Sequence, residues 1–151
     1  MAVYFIDSSA LVKRYVEEAG STWVSALLDP GAGNHIYVAS LSGVEILSAL
    51  VRRGRGLPAP GLSLAVLRFR AEWTSLCRVV DVTATMLEDA MRLAERHSLR
   101  SADAIQLSAL LSVCRKGLLS PASLTLISSD TELNAAATKE GFGVEDPNAH
   151  P

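Results

Sequence analysis

Asp7 and Asp130 stand in matching contexts. Each follows a short apolar run, Val3-Tyr4-Phe5-Ile6 in one case and Leu124-Thr125-Leu126-Ile127-Ser128 in the other, and each precedes a helical pattern. Val, Tyr, Phe and Ile favour strands, and four apolar residues in a row fit a strand covered on both faces. Both acids therefore belong at the carboxyl ends of buried strands. Open parallel sheets bind ligands at that edge. Asp and Ser also cap helices, so Asp7 has two readings, a site acid or a cap, and Ser8 or Ser9 can supply the cap instead. Asp103 shares a helical face with Leu107, Leu110 and Cys114. A first-turn acid is favoured by the helix dipole, but the dipole is served equally from the wet face, whereas an unpaired charge on an apolar face is costly. Glu45 points away from the stripe Val44, Leu47, Leu50 and Val51 and shares its side with Ser48, Ala49 and Arg52, so periodicity alone assigns it to a solvated face. Asp81, near the end of a third strand, is a second-tier rival.

Several carboxylates at one place raise each other's pKa values, and a divalent cation removes the conflict. Oxygen ligands without a His or Cys cluster suit Mg²⁺ or Mn²⁺ rather than Zn²⁺, and His35, His97 and His150 show no ligand spacing. Such a site supports metal-assisted hydrolysis of a phosphodiester. Ser9, two residues past Asp7, can hold a water or a phosphate oxygen. Arg100, three residues before Asp103, is the best placed cation for a substrate phosphate. Arg52 and Arg53 serve either a nucleic-acid backbone or the dipole at a helix C-terminus. The glycine-rich phosphate cradles of dinucleotide and NTP sites and the Gly-x-Ser-x-Gly elbow are absent. An aspartyl-nucleophile phosphatase or receiver would need a second acid beside Asp7 or a nearby lysine, for which Lys13 is the nearest in sequence.

The elements that must position these residues alternate. Strands are expected at 3–6, 36–38, 78–82 and 124–128, with a further short one over 142–145. Helices are expected over 10–18, 22–28, from Ser40 or Ser42 to about 53, 62–76, from Thr83 or Thr85 to about 97, 102–116 and 131–140. The segment 54–61, rich in Gly and Pro, reads as an exposed turn. This order predicts an α/β protein with a mainly parallel sheet of four or five strands covered on both faces. The two helices between the second and third strands exceed what a crossover needs and suggest a projecting arm or a dimer surface.

The chain has 151 residues, of which 49% are hydrophobic and 20% charged, enough for one domain with a real core. One domain is expected over 1–147, with 148–151 as a tail. With 14 basic residues against 16 acidic ones, net charge gives no support for a nucleic-acid partner, so any basic surface is local. Cys77 and Cys114 lie in apolar contexts without Cys-x-x-Cys spacing and read as buried free thiols, in keeping with a reducing cytoplasm. No signal-peptide pattern opens the chain, and no apolar run approaches a membrane span.

Ile6-Asp7-Ser8-Ser9-Ala10-Leu11, a helical Glu45, Leu99-Arg100-Ser101-Ala102-Asp103-Ala104 and Ser128-Ser129-Asp130 together resemble the PIN-domain ribonucleases, most closely the toxin component of VapBC-type toxin–antitoxin pairs. The resemblance spans nearly the whole chain, with the motifs in the family's order. It implies a three-layer α/β/α PIN-like fold and a Mg²⁺- or Mn²⁺-dependent endoribonuclease acting on structured RNA such as tRNA or rRNA. It implies a homodimer and a cognate antitoxin seated in the active-site groove. Carried over by position, Asp7, Glu45, Asp103 and Asp130 would bind metal with Ser9 in support, which reverses the periodicity reading of Glu45. Where the family often has an aromatic residue shortly after the last acid, this chain has Thr131-Glu132-Leu133. The alternative is a non-catalytic module of the same fold that binds RNA or a protein.

Overall fold

Phe5 and Ile6 are neighbours in sequence and belong to two different cores. A computed structural model describes residues 1–55, 59–117 and 119–150. In it these two side chains mark opposite faces of strand β1, Val3–Ile6. Leu126 and Ile127 divide in the same way on β4, Thr125–Ile127, as the two-residue period of a strand requires. β1 pairs in parallel with β4 and with β2, His35–Ala39. β2 pairs with β3, Arg78–Val80, and β4 with β5, Gly143–Glu145, also in parallel. The result is a five-stranded sheet of order β3-β2-β1-β4-β5. The expected parallel sheet is present, at the upper of the two strand counts.

One face is covered by α1 (Ser8–Leu11), α2 (Ser21–Leu27), α3 (Ser40–Arg53) and α4 (Ala59–Leu76), whose Leu11, Val24, Ile46, Leu50 and Phe69 pack with Ile6, Val38 and Ile127. The other is covered by α5 (Ala84–His97), α6 (Ser101–Gly117) and α7 (Thr131–Lys139), whose Leu93, Leu107, Leu110 and Leu133 pack with Phe5 and Leu126. The three-layer α/β/α arrangement follows. The chain builds outward from β1 through β2 to β3, then returns to place β4 on β1's other side. The direction of strand order therefore reverses between β1 and β4, which is where sheets of this kind place their ligand crevice.

Several local expectations are corrected. The helix expected over 10–18 ends at Leu11 and tightens into a 3₁₀ turn over Val12–Arg14. Tethers explain the break. Lys13 Nζ donates to Glu18 Oε1, Ala19 O and Asn148 Oδ1, each at 3.0 Å, and Arg14 reaches across to Glu72 at 2.7 Å. The expected turn over 54–61 is shorter, because α4 already begins at Ala59; residues 56–58 lie outside the described residues. α4 packs on α3, with the Trp73 ring against Gly43, and leaves Leu64 and Leu67 exposed. Both cysteines are free, but only Cys77 is buried, and Cys114 is half-buried.

Beyond Pro147 the chain stays packed. The His150 ring stacks on Trp23 with centroids 4.3 Å apart, and Asn148 receives Lys13. This closure depends on Gly20, which has φ +85° and lies so near Pro147 that an added Cβ would stand 2.3 Å from the Pro147 carbonyl oxygen. Gly33 has φ +68° but open space around it. Gly20→Ala is therefore expected to cost roughly 3 kcal/mol, combining backbone strain with overpacking. Gly33→Ala is expected to cost about 1 kcal/mol from backbone strain alone. Urea unfolding of the two variants measures the difference.

Candidate active site

The three central strands deliver their carboxyl ends side by side. β1 runs into Asp7, β2 into α3 with Glu45 in its second turn, and β4 into Ser128-Ser129-Asp130. The Asp7 amide donates to the carbonyl of Ile127 at 3.1 Å, so the first and last of these segments touch. Asp7 and Asp130 are both N-caps. Asp7 Oδ1 accepts from the Ala10 amide at 3.2 Å, and Asp130 Oδ1 accepts from the Leu133 amide at 2.9 Å. The two readings of Asp7 are thus compatible: it caps α1 and also stands at the sheet edge. Ser8 and Ser9 do not replace it, and Ser9 takes another duty.

Ser9 Oγ donates to Asp7 Oδ1 at 2.7 Å and accepts from the Ser129 amide at 2.9 Å. Its oxygen lies 3.5 Å from Ser128 Oγ, which accepts from the Asp130 amide at 3.0 Å. Hydroxyls thereby link the ends of β1 and β4 and tie Asp7 to Asp130.

Asp7 is only 4% exposed. Burial pushes its carboxyl up from the ordinary 3.8 to about 7. Hydrogen bonds from Ser9 and Ala10 oppose that rise, and the Glu45 carboxylate adds to it. Asp103, half-buried in the first turn of α6, is pushed up to about 6 by burial and by the carboxylates of Asp130, Glu45 and Glu132; Arg100 acts against this. Glu45 thus acts on both Asp7 and Asp103, and Asp130 acts on Asp103. Perturbed acids gathered at a sheet edge are the physical signature of a functional site.

Glu45 itself corrects the reading from periodicity. The buried line of α3 is Ser42, Ile46 and Leu50, whereas Val44 and Val51 are 68% and 49% exposed. Glu45 is half-buried and accepts from Gln106 Nε2 at 2.8 Å. The same nitrogen donates to Ser42 Oγ at 2.8 Å. Apolar periodicity misled because this helix buries a hydroxyl and exposes two valines. Sequence reasoning missed Gln106, Ser42, Ser128, Asn134 and Glu132. The available signal was a lone amide inside the apolar run of α6, one turn after Asp103.

The other expected residues are variously placed. Asp81 is exposed beyond the end of the peripheral strand β3. Arg100 is exposed but close enough to act on Asp103. Arg52 is exposed seven residues after Glu45 on α3, about 10 Å along the axis, beside Ala49 and Arg53. Lys13 is held by Glu18, Ala19 and Asn148, so it is not free to assist an Asp7 nucleophile.

Among the described residues no three Asp, Glu, His or Cys side chains converge as a ready-made metal shell. The donor set nevertheless fits Mg²⁺ or Mn²⁺, which bind through one or two carboxylates and fill their remaining positions with water and substrate phosphate. The unpaired atoms agree. Among the described residues, the buried side-chain polar atoms without a hydrogen-bond partner are Gln106 Oε1, Ser129 Oγ and Asn134 Oδ1. Gln106 contacts Glu45, Ser129 precedes Asp130, and Asn134 Nδ2 donates to the Ser128 carbonyl. An unsatisfied buried polar group costs about 1–3 kcal/mol; the two amide oxygens need a donor such as a bound water, or a cation, and the Ser129 hydroxyl needs any polar partner.

The PIN domain family model matches residues 4–139. Ribonuclease VapC45 of Mycobacterium tuberculosis is 35% identical over 121 residues, covering 79% of this chain and 82% of that protein. A crystal structure of VapC20 from the same species, a toxin that cleaves the sarcin–ricin loop, superposes with a TM-score of 0.63 at 19% identity, covering 98% of this chain and 99% of that one. A toxin–antitoxin complex from Klebsiella pneumoniae gives a TM-score of 0.61 at 16% identity, covering 97% and 98%. The sheet order, the acids at its central edge and the match over most of the sequence lead to one assignment: this chain belongs to the PIN-domain family and is related within it to the VapC proteins.

Proposed function

We propose that this protein is a metal-dependent endoribonuclease, the toxin of a toxin–antitoxin pair. The observation that carries the reading is that Asp7, at the switch point of the sheet, and Asp103 are both held well above the ordinary carboxylate range, with Glu45 acting on both and Asp130 on Asp103. Asp7, Glu45, Asp103 and Asp130 would hold Mg²⁺ or Mn²⁺. When bound, the cation neutralises charge on the phosphoryl oxygen and lowers the pKa of an attacking water. Ser9 orients Asp7 and holds the β4 end against it. Arg100 contacts an RNA phosphate beside Asp103, and Arg52 follows the backbone further along α3.

The relatives' names and assemblies support the class of substrate and partner. The partner is a cognate antitoxin protein that covers the acid edge, and the toxin acts as a homodimer in the cytoplasm. No helix among the described residues is long and apolar enough to cross a membrane.

The test is direct. Antitoxin-free protein is incubated with end-labelled structured RNA and with DNA of the same sequence. The RNA is expected to be cleaved in Mg²⁺ or Mn²⁺, to survive in excess EDTA, and to be cleaved again when metal is restored. Cleavage that persists in EDTA would remove the metal from the account. RNA binding without cleavage would favour the non-catalytic module.

A further inference from the structure

α3 and α6 face each other through two pairs of residues, each pair one helical turn apart: Ser42 with Glu45, and Asp103 with Gln106. Gln106 is only 2% exposed, and Ser42 is fully buried. A carboxylate only accepts hydrogen bonds, so the amide nitrogen must be the end that meets Glu45. Both amide hydrogens are then used, one on Ser42 Oγ and one on Glu45 Oε1, each at 2.8 Å. The carbonyl oxygen pays for this arrangement, since it is buried with no partner among the described residues. A methionine or leucine would fill the same space and leave Ser42 Oγ orphaned in place of the amide oxygen, so packing alone does not explain the choice of glutamine.

We infer that Gln106 is a positioning residue: by donating to Glu45 Oε1 while anchored on Ser42, it fixes the Glu45 carboxylate opposite Asp103 for cation binding. This rests on the reading of the acids as metal ligands. Glu45 repels, and is repelled by, both Asp7 and Asp103, and a glutamate side chain has several rotamers in which to retreat. A lysine or arginine could hold it, but a cation there would compete with the metal for the carboxylate. A neutral amide orients the group and leaves its charge available. It engages Oε1 alone, and Oε2 makes no hydrogen bond among the described residues. Partners of this kind, one step removed from the metal, typically change metal affinity 10–100-fold when lost.

The experiment is a double-mutant cycle read by Mn²⁺ binding. Isothermal titration of the antitoxin-free protein compares wild type, Glu45→Gln, Gln106→Met and the double variant, with thermal melts in EDTA alongside. Gln106→Met is expected to weaken Mn²⁺ about tenfold while melting close to wild type. On the Glu45→Gln background it should add less than twofold. Gln106→Glu, which keeps the side chain's shape but repels Glu45, is run in parallel and should weaken Mn²⁺ at least as much. Mn²⁺ affinity within twofold of wild type in both Gln106 variants overturns the assignment, as does a Met effect undiminished in the absence of the Glu45 charge. A wild-type protein that binds no Mn²⁺ overturns the metal reading itself, a separate outcome.

Discussion

Asp7→Asn is expected to abolish RNA cleavage and, at the same time, to raise the melting temperature of the metal-free protein at pH 8. The two effects share a cause. Asp7 is buried at the sheet edge, and its carboxyl holds a proton to about pH 7. At pH 8 the wild type keeps an ionised acid in a dry place beside Glu45. Asparagine retains an oxygen to accept from Ala10 and Ser9 but carries no charge to desolvate. Removing a carboxylate that holds the cation should cost several kcal/mol of transition-state stabilisation, on the order of a thousandfold in rate. In EDTA at pH 8 the variant should melt several degrees higher, about 2–4 °C for each kcal/mol gained in a chain of this size. At pH 5, where wild-type Asp7 is neutral, the two proteins should melt together. A variant that cleaves normally, or that loses stability at pH 8, would remove Asp7 from the site and leave it as a cap.

The second large effect is the dependence of metal-free stability on pH. The unfolded chain releases the Asp7 proton near 3.8, whereas the folded protein keeps it to about 7. Between those values the folded state binds more protons. Its stability is therefore fullest below about pH 4 and declines as pH rises through 7. For a group this buried the decline is on the order of 4 kcal/mol. Asp103, pushed up to about 6 and only half-buried, acts in the same direction with a smaller effect. Asp89, held low by Arg115, and Glu140, held low by His97, act oppositely, with stability lost as pH falls below their ordinary values of 3.8 and 4.5. Melting in EDTA should thus fall from pH 5 to pH 8, and the slope should flatten in Asp7→Asn. Saturating Mg²⁺ or Mn²⁺ should restore stability, most at pH 8, because the cation needs the ionised acids. A stability that rises with pH in EDTA, equally in wild type and variant, would contradict the burial of this charge.

The sequence made much of this legible because β1 and β4 advertise themselves. Each is a short apolar run that ends in a polar residue before a helix, and burial on both faces enforces that pattern. Asp103 was visible as an acid on an apolar face. The parallel sheet followed from strands alternating with helices. Glu45 was not legible from periodicity, because α3 exposes Val44 and Val51 and buries Ser42. That serine is explained only by Gln106, sixty-four residues away in the chain, and a buried polar pair leaves no trace in a hydropathy pattern. The early end of α1 was hidden for a related reason: Lys13 and Arg14 answer to Asn148 and Glu72, partners far off in sequence. The resemblance to the PIN family placed Glu45 where the helix wheel did not.

Asp103→Asn joined to a Mn²⁺ titration asks whether the acid edge binds the cation that cleaves RNA. Mn²⁺ binding and single-turnover cleavage of one labelled RNA are measured on the same antitoxin-free preparations. Wild type should bind and cleave with a common midpoint in Mn²⁺. Asp103→Asn, folded by its melt in EDTA, should bind Mn²⁺ at least tenfold more weakly and show no cleavage at that midpoint. Wild-type rates of cleavage in Asp103→Asn, or cleavage by the wild type at Mn²⁺ concentrations where none is bound, would contradict the account.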